Sequence, residues 1–389
     1  MSWDLPDKAD VVVIGGGIIG VSVAYYLALK GVPQVLLLER GMMGQGSTGK
    51  CAGGIRSQFS TEINVKFSLL SRSVFDSFEE NFQVDPEFRR VGYLFLASQE
   101  GQWAQLRRNA QLLEAHGVAP ELLEPDEISR RWPFLEVGDL LGGSYSPQDG
   151  YAGPYEVLQG FAKGARSLGA RLVEGVEVTS IRVSGGRVSG VQTSQGRLVA
   201  TKQVVNAAGP QAGLVASMAG LDLPVKPYRR QLFFTDPFPH LPEQFPLTID
   251  LELGWYMRRE GKGLLLSGPQ DQESSFNESV DFDSKEWTAE RSLHRCPVLE
   301  RARIARGWAG LYEVSPDHHA IIGEFPELRG FLCVNGFSGH GFQHSPAAGM
   351  VAAELIVDGK ASSMDIHPLR PTRFREGDLI HEPLTAIRD

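Results

Sequence analysis

The chain has 389 residues and carries 38 Lys and Arg against 47 Asp and Glu, a formal net charge of −9. This length suggests about two domains, and the acidic balance without a dense basic cluster argues against nucleic acid or an anionic membrane as partner. Its three cysteines, Cys51, Cys296 and Cys333, are far apart and odd in number, which argues against a disulfide scaffold or a zinc site and fits a reducing cytoplasm. The N-terminal residues lack the pattern of a signal peptide, so we predict a cytoplasmic protein.

The first forty residues follow the pattern of a βαβ unit. An apolar run over 10–14 predicts a strand, residues 18–30 predict a helix closed by Gly31, and residues 35–38 predict a second buried strand. A parallel strand pair joined by a helix in this way is the unit from which dinucleotide-binding sheets are built.

The turn between the first strand and the helix reads Gly15-x-Gly17-x-x-Gly20. In this fingerprint the first glycine permits the tight turn, the second lets backbone approach a pyrophosphate, and the third lets helix and strand pack closely. Glu39 ends the second strand, where a carboxylate can accept hydrogen bonds from ribose hydroxyls. The pattern predicts a dinucleotide site; the alternative is a glycine-rich turn in an unrelated α/β sheet.

The remaining sequence alternates between helical and strand-rich stretches. In chain order we predict a Gly/Ser-rich loop over 41–54, a helix over 61–82, a strand over 92–97, a helix over 99–116, a Pro/Gly-rich boundary over 146–154, a helix over 155–168, and strands over 171–174, 176–183, 188–193 and 203–206. The C-terminal part predicts a strand-rich region over 223–322 with a helix over 284–294, then a strand over 330–334, a glycine loop over 335–341 and a helix over 345–357.

Two later segments favour FAD over NAD as the dinucleotide. The strand over 203–206 runs into Ala207-Ala208-Gly209, small residues that suit close approach of a cofactor to the backbone. The glycine loop that precedes the last helix can direct backbone N–H groups at a flavin pyrimidine ring, and the helix N-terminus would stabilise an anionic reduced flavin.

Four blocks of the chain resemble the D-amino-acid-oxidase-like flavoproteins, and above all the sarcosine oxidases and the β subunits of sarcosine oxidase and dye-linked proline dehydrogenase complexes. The blocks are residues 10–39, 46–56, 308–317 and 336–342, in the order and spacing of that family. The resemblance implies an α/β + β fold, with a Rossmann-like FAD-binding domain of the GR2 type and an interleaved substrate-binding domain on a mixed or antiparallel sheet. It places the first domain at 1–85, 150–222 and 323–389 and the second at 86–149 and 223–322.

The resemblance also implies which residues bind FAD. They are Gly15, Gly17, Ile18, Ile19, Gly20, Glu39 and Arg40 at the ADP half, Gly46, Ser47 and Thr48 at the pyrophosphate, Val178 at the adenine, Lys50, Cys51 and Ala52 on one flavin face, Gly339, His340, Gly341, Phe342 and Gln343 at the pyrimidine end, and also Ala207, Ala208, Gly209 and Gly310. Cys51 is either reactive beside the flavin or a small buried cysteine.

An amino-acid substrate needs a cation for its carboxylate, and arginine offers a bidentate fork. Arg56 matches the arginine that binds the substrate carboxylate in monomeric sarcosine oxidases; the alternative is an arginine of the pyrophosphate site or of a surface ion pair. Arg258 is a second candidate. Tyr256 and Tyr312 line the pocket or pack in the core, and His340 and Gln343 complete the predicted catalytic set.

Three positions depart from the monomeric sarcosine oxidases. Gly310 stands near the position of the cysteine that attaches FAD, so we predict non-covalent FAD. Leu265 replaces the lysine that activates oxygen, which weakens an oxidase reading and favours a dehydrogenase. Gln343 replaces a second carboxylate-binding lysine, so the substrate carboxylate depends more on Arg56.

These observations predict an FAD-dependent enzyme that oxidises sarcosine or a similar N-alkyl or cyclic amino acid to an imine, with O2 reduced to H2O2. One alternative is the catalytic β subunit of a heteromeric dye-linked dehydrogenase that passes electrons to a partner subunit. A remote alternative is a non-catalytic assembly factor. We expect no metal at His318-His319, because adjacent side chains seldom converge on one ion, and no hydrolase at the near-match to a nucleophile elbow over 336–340.

Overall fold

The computed structural model describes residues 5–383. Its strands are β1 Val11–Ile14, β2 Val35–Leu38, β3 Gly54–Ile55, β4 Tyr93–Ala97, β5 Glu121–Leu123, β6 Gly142–Ser146, β7 Gly150–Tyr151, β8 Arg171–Val173, β9 Val178–Ser184, β10 Arg187–Thr193, β11 Leu198–Ala200, β12 Val204–Asn206, β13 Lys226–Thr235, β14 Leu247–Asp250, β15 Trp255–Glu260, β16 Gly263–Gln270, β17 Ile304–Val314, β18 Ile321–Glu324 and β19 Phe331–Asn335. Its helices are α1 Ile18–Leu29, α2 Glu62–Asp76, α3 Phe78–Phe82, α4 Glu100–Ala115, α5 Pro125–Arg131, α6 Pro154–Ser167, α7 Ala212–Ser217, α8 Asp283–Arg295, α9 Gly341–Val357 and α10 Arg373–Glu376, with short 3-10 turns at Thr48–Lys50, Gly209–Gln211, Pro297–Arg301 and His367–Leu369.

A six-stranded sheet in the order β18-β19-β12-β1-β2-β8 contains the predicted βαβ unit. Its strands pair in parallel except for β18 with β19, and β1 lies between β2 and β12. Both β1 and β2 are buried along their whole length, as expected of a parallel sheet that is covered on both faces. Helix α1 is apolar on nearly every side, since it packs between the sheet, α6 and α9.

An eight-stranded sheet in the order β17-β13-β16-β15-β14-β4-β6-β5 forms the second half of the molecule. Neighbouring strands are antiparallel except for the parallel pair β14 and β4. The strands come from two separate stretches of chain, 93–146 and 226–314, whereas those of the six-stranded sheet come from 11–38, 171–206 and 321–335. The discontinuous domain boundaries given above remain predictions.

Several predicted elements differ from the observed ones. The predicted helix over 61–82 is two helices, α2 and α3, because the backbone leaves the helical conformation at Ser77. The short elements α5, β6, β11 and α7 were not predicted, since each has too few residues to show a clear period.

The last helix begins at Gly341 rather than at residue 345. Pro346 would be the second residue of the predicted helix, a position that suits proline because it has no N–H to donate to the carbonyl four residues earlier. In the structure that carbonyl belongs to Phe342 and accepts a hydrogen bond from the Ser345 hydroxyl at 2.9 Å instead. The serine therefore lets the helix extend one turn further toward the cavity described next.

Candidate active site

A cavity of about 850 Å³ lies between the two large sheets. This volume is at the upper end of the range for small-molecule and cofactor sites. Most of the predicted cofactor residues line it: Gly15, Gly17, Ile18, Ile19, Glu39, Arg40, Gly46, Ser47, Thr48, Lys50, Cys51, Ala52, Val178, Ala207, Ala208, Gly209, Gly310, Gly339, His340, Gly341, Phe342 and Gln343. Gly20 lies behind the glycine turn and is not among the lining residues.

The three glycines of the turn serve different purposes. A Cβ on Gly15, whose φ is +114°, would lie 2.3 Å from the Ala207 carbonyl oxygen, and one on Gly20 would lie 1.9 Å from the Gly15 carbonyl oxygen. These two glycines are therefore required by the packing of the chain on itself. A Cβ on Gly17 would meet only Thr48 Oγ1, at 3.3 Å, so its backbone is open to the cavity at the N-terminus of α1.

Glu39 ties this turn to the loop that follows β2. Its carboxylate accepts hydrogen bonds from the backbone N–H of Gly16 at 2.6 Å and of Gly41 at 2.8 Å. Thr48 Oγ1 accepts from the backbone N–H of Ile18 at 3.0 Å. The loop is thus held against the open end of α1, where free N–H groups and the helix dipole favour an anion.

The eight-stranded sheet holds the same loop from the opposite side. Ser47 donates to the Leu311 carbonyl at 2.6 Å, and the Trp308 indole N–H donates to the Lys50 carbonyl at 3.2 Å. Cys51 lines the cavity, where desolvation raises the pKa of its thiol to about 11. The sulfur therefore remains protonated at neutral pH, which supports a packing cysteine rather than a reactive one.

The glycine loop before α9 closes the cavity at another end. Ser338 and Gly339 have φ of 52° and 94°, and a Cβ on Gly339 would lie 2.6 Å from the Tyr312 ring. Beside the loop is Glu313, which the sequence analysis did not single out. Its Oε2 is buried without a hydrogen-bond partner among residues 5–383, and desolvation raises the pKa of this carboxyl to about 7.

Arg56 is buried at the wall of the cavity. Its backbone N–H donates to Gln343 Oε1 at 2.7 Å, and its guanidinium donates to the Gln58 carbonyl and lies 3.8 Å from the centre of the Phe59 ring. No carboxylate of residues 5–383 is within ion-pair distance of it. Because Arg remains charged even when burial lowers its pKa, this is a buried cation beside a cavity, on which the carboxylates of Glu382 and Asp149 act only from beyond ion-pair distance.

Two histidines near Arg56 are neutral. His340 Nε2 is 3.3 Å from the Arg56 Nη2, and burial together with the arginine charge holds the pKa of His340 well below its usual range. The same causes lower the pKa of His344 to about 3. His340 Nε2 can therefore only accept a hydrogen bond from the guanidinium, and the charge at this end of the cavity belongs to Arg56.

Tyr256 and Tyr312 both line the cavity, in agreement with the pocket role predicted for them. Arg258 does not, which contradicts its prediction as a substrate cation. Its guanidinium donates to the Ala52 carbonyl at 2.7 Å and forms an ion pair with Glu260 at 2.7 Å, so its charge is paired within the protein.

Other cavity residues were missed from the sequence. Arg230, Tyr93 and Phe95 line the cavity together with Glu313. One signal was available for the first of these: Arg229 and Arg230 are adjacent in a strand, where successive side chains point to opposite faces, so one of the two must face the cavity side of the sheet.

Comparison with known proteins shows the family of the chain. Residues 10–355 match the family model described as DAO, FAD dependent oxidoreductase. The chain belongs to this family. It is 32% identical to sarcosine oxidase subunit beta of Rhizobium meliloti (strain 1021), over 98% of this chain and 92% of that protein. It is 31% identical to FAD-dependent oxidoreductase domain-containing protein 1 of Xenopus laevis, over 95% of this chain and 83% of that protein.

The fold of this oxidoreductase is similar to that of L-proline dehydrogenase from P. horikoshii, with a TM-score of 0.91 and 33% identity over 97% of this chain and all of that one. The predictions of the family, the fold class, the cofactor FAD and an enzymatic activity are confirmed. The chain is an FAD-dependent amino-acid or amine oxidoreductase of the sarcosine oxidase and dehydrogenase type.

The cavity of this FAD-dependent oxidoreductase fits the cofactor on its own geometry. The backbone at Gly17 is unobstructed, and the N-termini of α1 and α9 both open onto the cavity, which suits a molecule with an anionic pyrophosphate and an electron-poor ring. The individual contacts assigned to FAD above remain predictions.

Two further features concern metals and membranes. His319 is bound to Thr61 and to the Asp317 carbonyl, and no group of three or more His, Cys, Asp or Glu within residues 5–383 could hold a metal ion. Over the same residues, no helix is both long and apolar enough to cross a bilayer.

Proposed function

We propose that the chain oxidises the C–N bond of a small secondary-amine amino acid, such as sarcosine or another N-alkyl or cyclic amino acid, to an imine. The observation that carries this proposal is the buried Arg56 guanidinium, an unpaired cation at the wall of a cavity that accommodates FAD. Bound FAD supplies the hydride acceptor for such a reaction. Arg56 would bind the substrate carboxylate and so fix the orientation of the C–H bond to be broken.

The cofactor contacts predicted from the sequence are part of this proposal. The turn at Gly15, Gly17 and Gly20 with Glu39 would hold the ADP half, and the loop from Gly339 would hold the pyrimidine end. Non-covalent attachment is supported by Gly310, which offers no nucleophile, and by the raised pKa of Cys51. We also retain the predicted division into a discontinuous FAD-binding domain and an interleaved substrate domain, and the cytoplasmic location.

Two electron acceptors are compatible with this reaction. The first is oxygen, reduced to hydrogen peroxide. The second is a partner electron-transfer subunit, and Leu265 favours it. Its side chain is fully buried in an apolar cluster with Leu232 and Phe234, so no cation stands where the oxidases have their lysine. The relative named sarcosine oxidase subunit beta is, by its name, one subunit of a larger oxidase.

Anaerobic mixing of the FAD-loaded protein with sarcosine, L-proline, glycine and D-alanine tests the proposal, with flavin absorbance as the readout. We expect rapid bleaching with a secondary amine. Fast re-oxidation in air would identify oxygen as acceptor, and slow re-oxidation would favour a partner subunit. No bleaching with any amine would overturn the proposal and favour the alternative of a non-catalytic assembly factor.

Arg56→Gln tests the role of the arginine. Two charge-assisted hydrogen bonds are each worth about 1.5–3 kcal/mol, so the substrate dissociation constant should rise by at least ~100-fold. FAD content should stay unchanged. Arg306→Gln, which removes an exposed charge on β17, is the control and should change neither quantity. Loss of FAD in Arg56→Gln would show that this arginine serves the cofactor instead.

A further inference from the structure

Arg230 is a second buried cation of the cavity. Adjacent Arg229 points to the other side of β13 and pairs with Asp271 and Asp281. Arg230 has only neutral acceptors, Gln270 Oε1 at 3.1 Å and the Gly254 carbonyl at 3.5 Å, and its Nε is buried without a partner among residues 5–383. Only 4% of this residue is exposed, and no carboxylate among residues 5–383 forms an ion pair with it.

Arg230 and Arg56 lie at opposite ends of one row of side chains. Tyr256 pairs with Ile249 across β15 and β14, and Ile249 pairs with Phe95 across β14 and β4. The three are therefore in register on one face, and all line the cavity. The Cζ of Arg230 is 5.9 Å from the Tyr256 ring centre, and the Cζ of Arg56 is 5.2 Å from the Phe95 ring centre.

The length of this row and the distance of each guanidinium from its end, 5.9 Å for Arg230 and 5.2 Å for Arg56, together set an upper bound on the distance between the two charges. Neighbouring strands are about 4.8 Å apart, so the two outer members of the row are separated by roughly 10 Å. A guanidinium-bound carboxylate at each end leaves room between them for a chain of a few bonds. The row itself is apolar except for the Tyr256 hydroxyl, and suits the methylene groups of such a chain.

We infer that Arg230 binds a second carboxylate of the substrate, so that the preferred substrate is a secondary-amine amino acid with two carboxylates. This inference rests on the proposed function. Its physical basis is charge compensation: two buried guanidinium groups, neither with a protein carboxylate at ion-pair distance, are stabilised by a ligand that supplies the opposite charges. A substrate with one carboxylate would neutralise Arg56 and leave Arg230 buried and unpaired.

Sarcosine and N-(carboxymethyl)glycine test this inference, because the second compound is sarcosine with one added carboxylate. Titration of the FAD-loaded protein, followed by the flavin spectrum, gives dissociation constants whether or not the compounds react. We expect the dicarboxylate to bind about 10- to 100-fold more tightly than sarcosine. Arg230→Gln should abolish this preference and change sarcosine binding by less than about 3-fold, whereas Arg230→Lys should retain part of it.

Two controls separate the possible outcomes. Lys226→Gln removes an exposed charge from the same strand and should leave the preference intact, and Arg56→Gln should weaken both compounds. FAD content and melting temperature establish that each variant is folded. Equal binding of the two compounds by the wild type, or an equal loss for both in Arg230→Gln and Arg230→Lys, would overturn the inference. Absence of flavin bleaching with every amine would instead overturn the proposed reaction, while the titration would still measure the role of Arg230.

Discussion

Replacing Glu313 by Gln should make the stability of the protein less dependent on pH. The Glu313 carboxyl is buried beside the Gly336–Ser338 backbone, with Oε2 unpartnered among residues 5–383, and desolvation raises its pKa from 4.5 to about 7. Burial of such a carboxyl group costs less free energy in its protonated form than in its ionised form. Its favourable contribution is complete below the unfolded-state pKa and is lost as pH rises through the folded-state pKa.

The size of the effect follows from the difference between the two pKa values. A shift of one pKa unit is worth about 1.36 kcal/mol, so burial of the ionised form costs on the order of 3 kcal/mol at high pH. About 1.3 kcal/mol of this falls between pH 6 and pH 8. Glutamine has nearly the same shape as protonated glutamate and no charge, so the variant should gain by these amounts relative to wild type.

Urea unfolding of the FAD-free protein at several pH values between 6 and 8 measures this difference. The free energy of unfolding of Glu313→Gln minus that of wild type should increase by about 1.3 kcal/mol across this range. Glu114→Gln, at an exposed position of α4, should show no such trend. A difference that is constant with pH would refute the reasoning, because it would mean that Glu313 is ionised and compensated in the folded protein.

Two further predictions concern the cofactor. Gly20→Ala places a Cβ 1.9 Å from the Gly15 carbonyl oxygen and should lower the free energy of unfolding of the FAD-free protein by about 3 kcal/mol. In Gly17→Ala the added Cβ meets only Thr48 Oγ1, at 3.3 Å. This variant should change the free energy of unfolding by less than about 1 kcal/mol, while its affinity for FAD falls. Equal destabilisation by both would contradict the distinction. Acid precipitation should release the flavin into the supernatant, as expected with Gly310 at the attachment position; yellow colour retained in the pellet would contradict non-covalent binding.

The sequence predicted the structure best where the functional residues are close together along the chain. The strand, glycine turn, helix and acidic residue of the βαβ unit lie within forty residues, and each follows a local rule of backbone geometry or hydrophobic period. The observed bounds of β1, α1 and β2 differ from the predicted ones by a residue at most. The start of α9 could not be predicted in this way, because the Ser345 hydroxyl satisfies a carbonyl that proline normally leaves free.

The substrate half was less predictable because it depends on strand pairing. Arg258 and Arg230 are both buried residues of strands with apolar neighbours, and both faces of β13 and β15 are largely buried. Side-chain alternation therefore shows that two adjacent residues face opposite ways, without showing which face borders the cavity. The row of Tyr256, Ile249 and Phe95 depends on register between strands that are far apart in sequence.

On the proposed function, the charges that bind the carboxylate also affect the amine. Hydride loss from the carbon next to nitrogen requires a neutral amine, and no protein base is needed if the amine binds in that form. Arg56 carries a positive charge, and His340 and His344 are neutral. Of the carboxylates that line the cavity, Asp250 is paired with Arg295 and Glu278 with Lys50, whereas Oε2 of Glu313 has no hydrogen-bond partner among residues 5–383.

Near Arg56 the charge is therefore that of the guanidinium itself, and the buried carboxylates that act on it, Glu382 and Asp149, do not line the cavity. Desolvation and a nearby cation both lower the pKa of an amine. The end of the cavity that binds the carboxylate would thus also favour the neutral amine. This removes the need for a dedicated catalytic base and leaves the positioning of the C–H bond as the main task of these side chains.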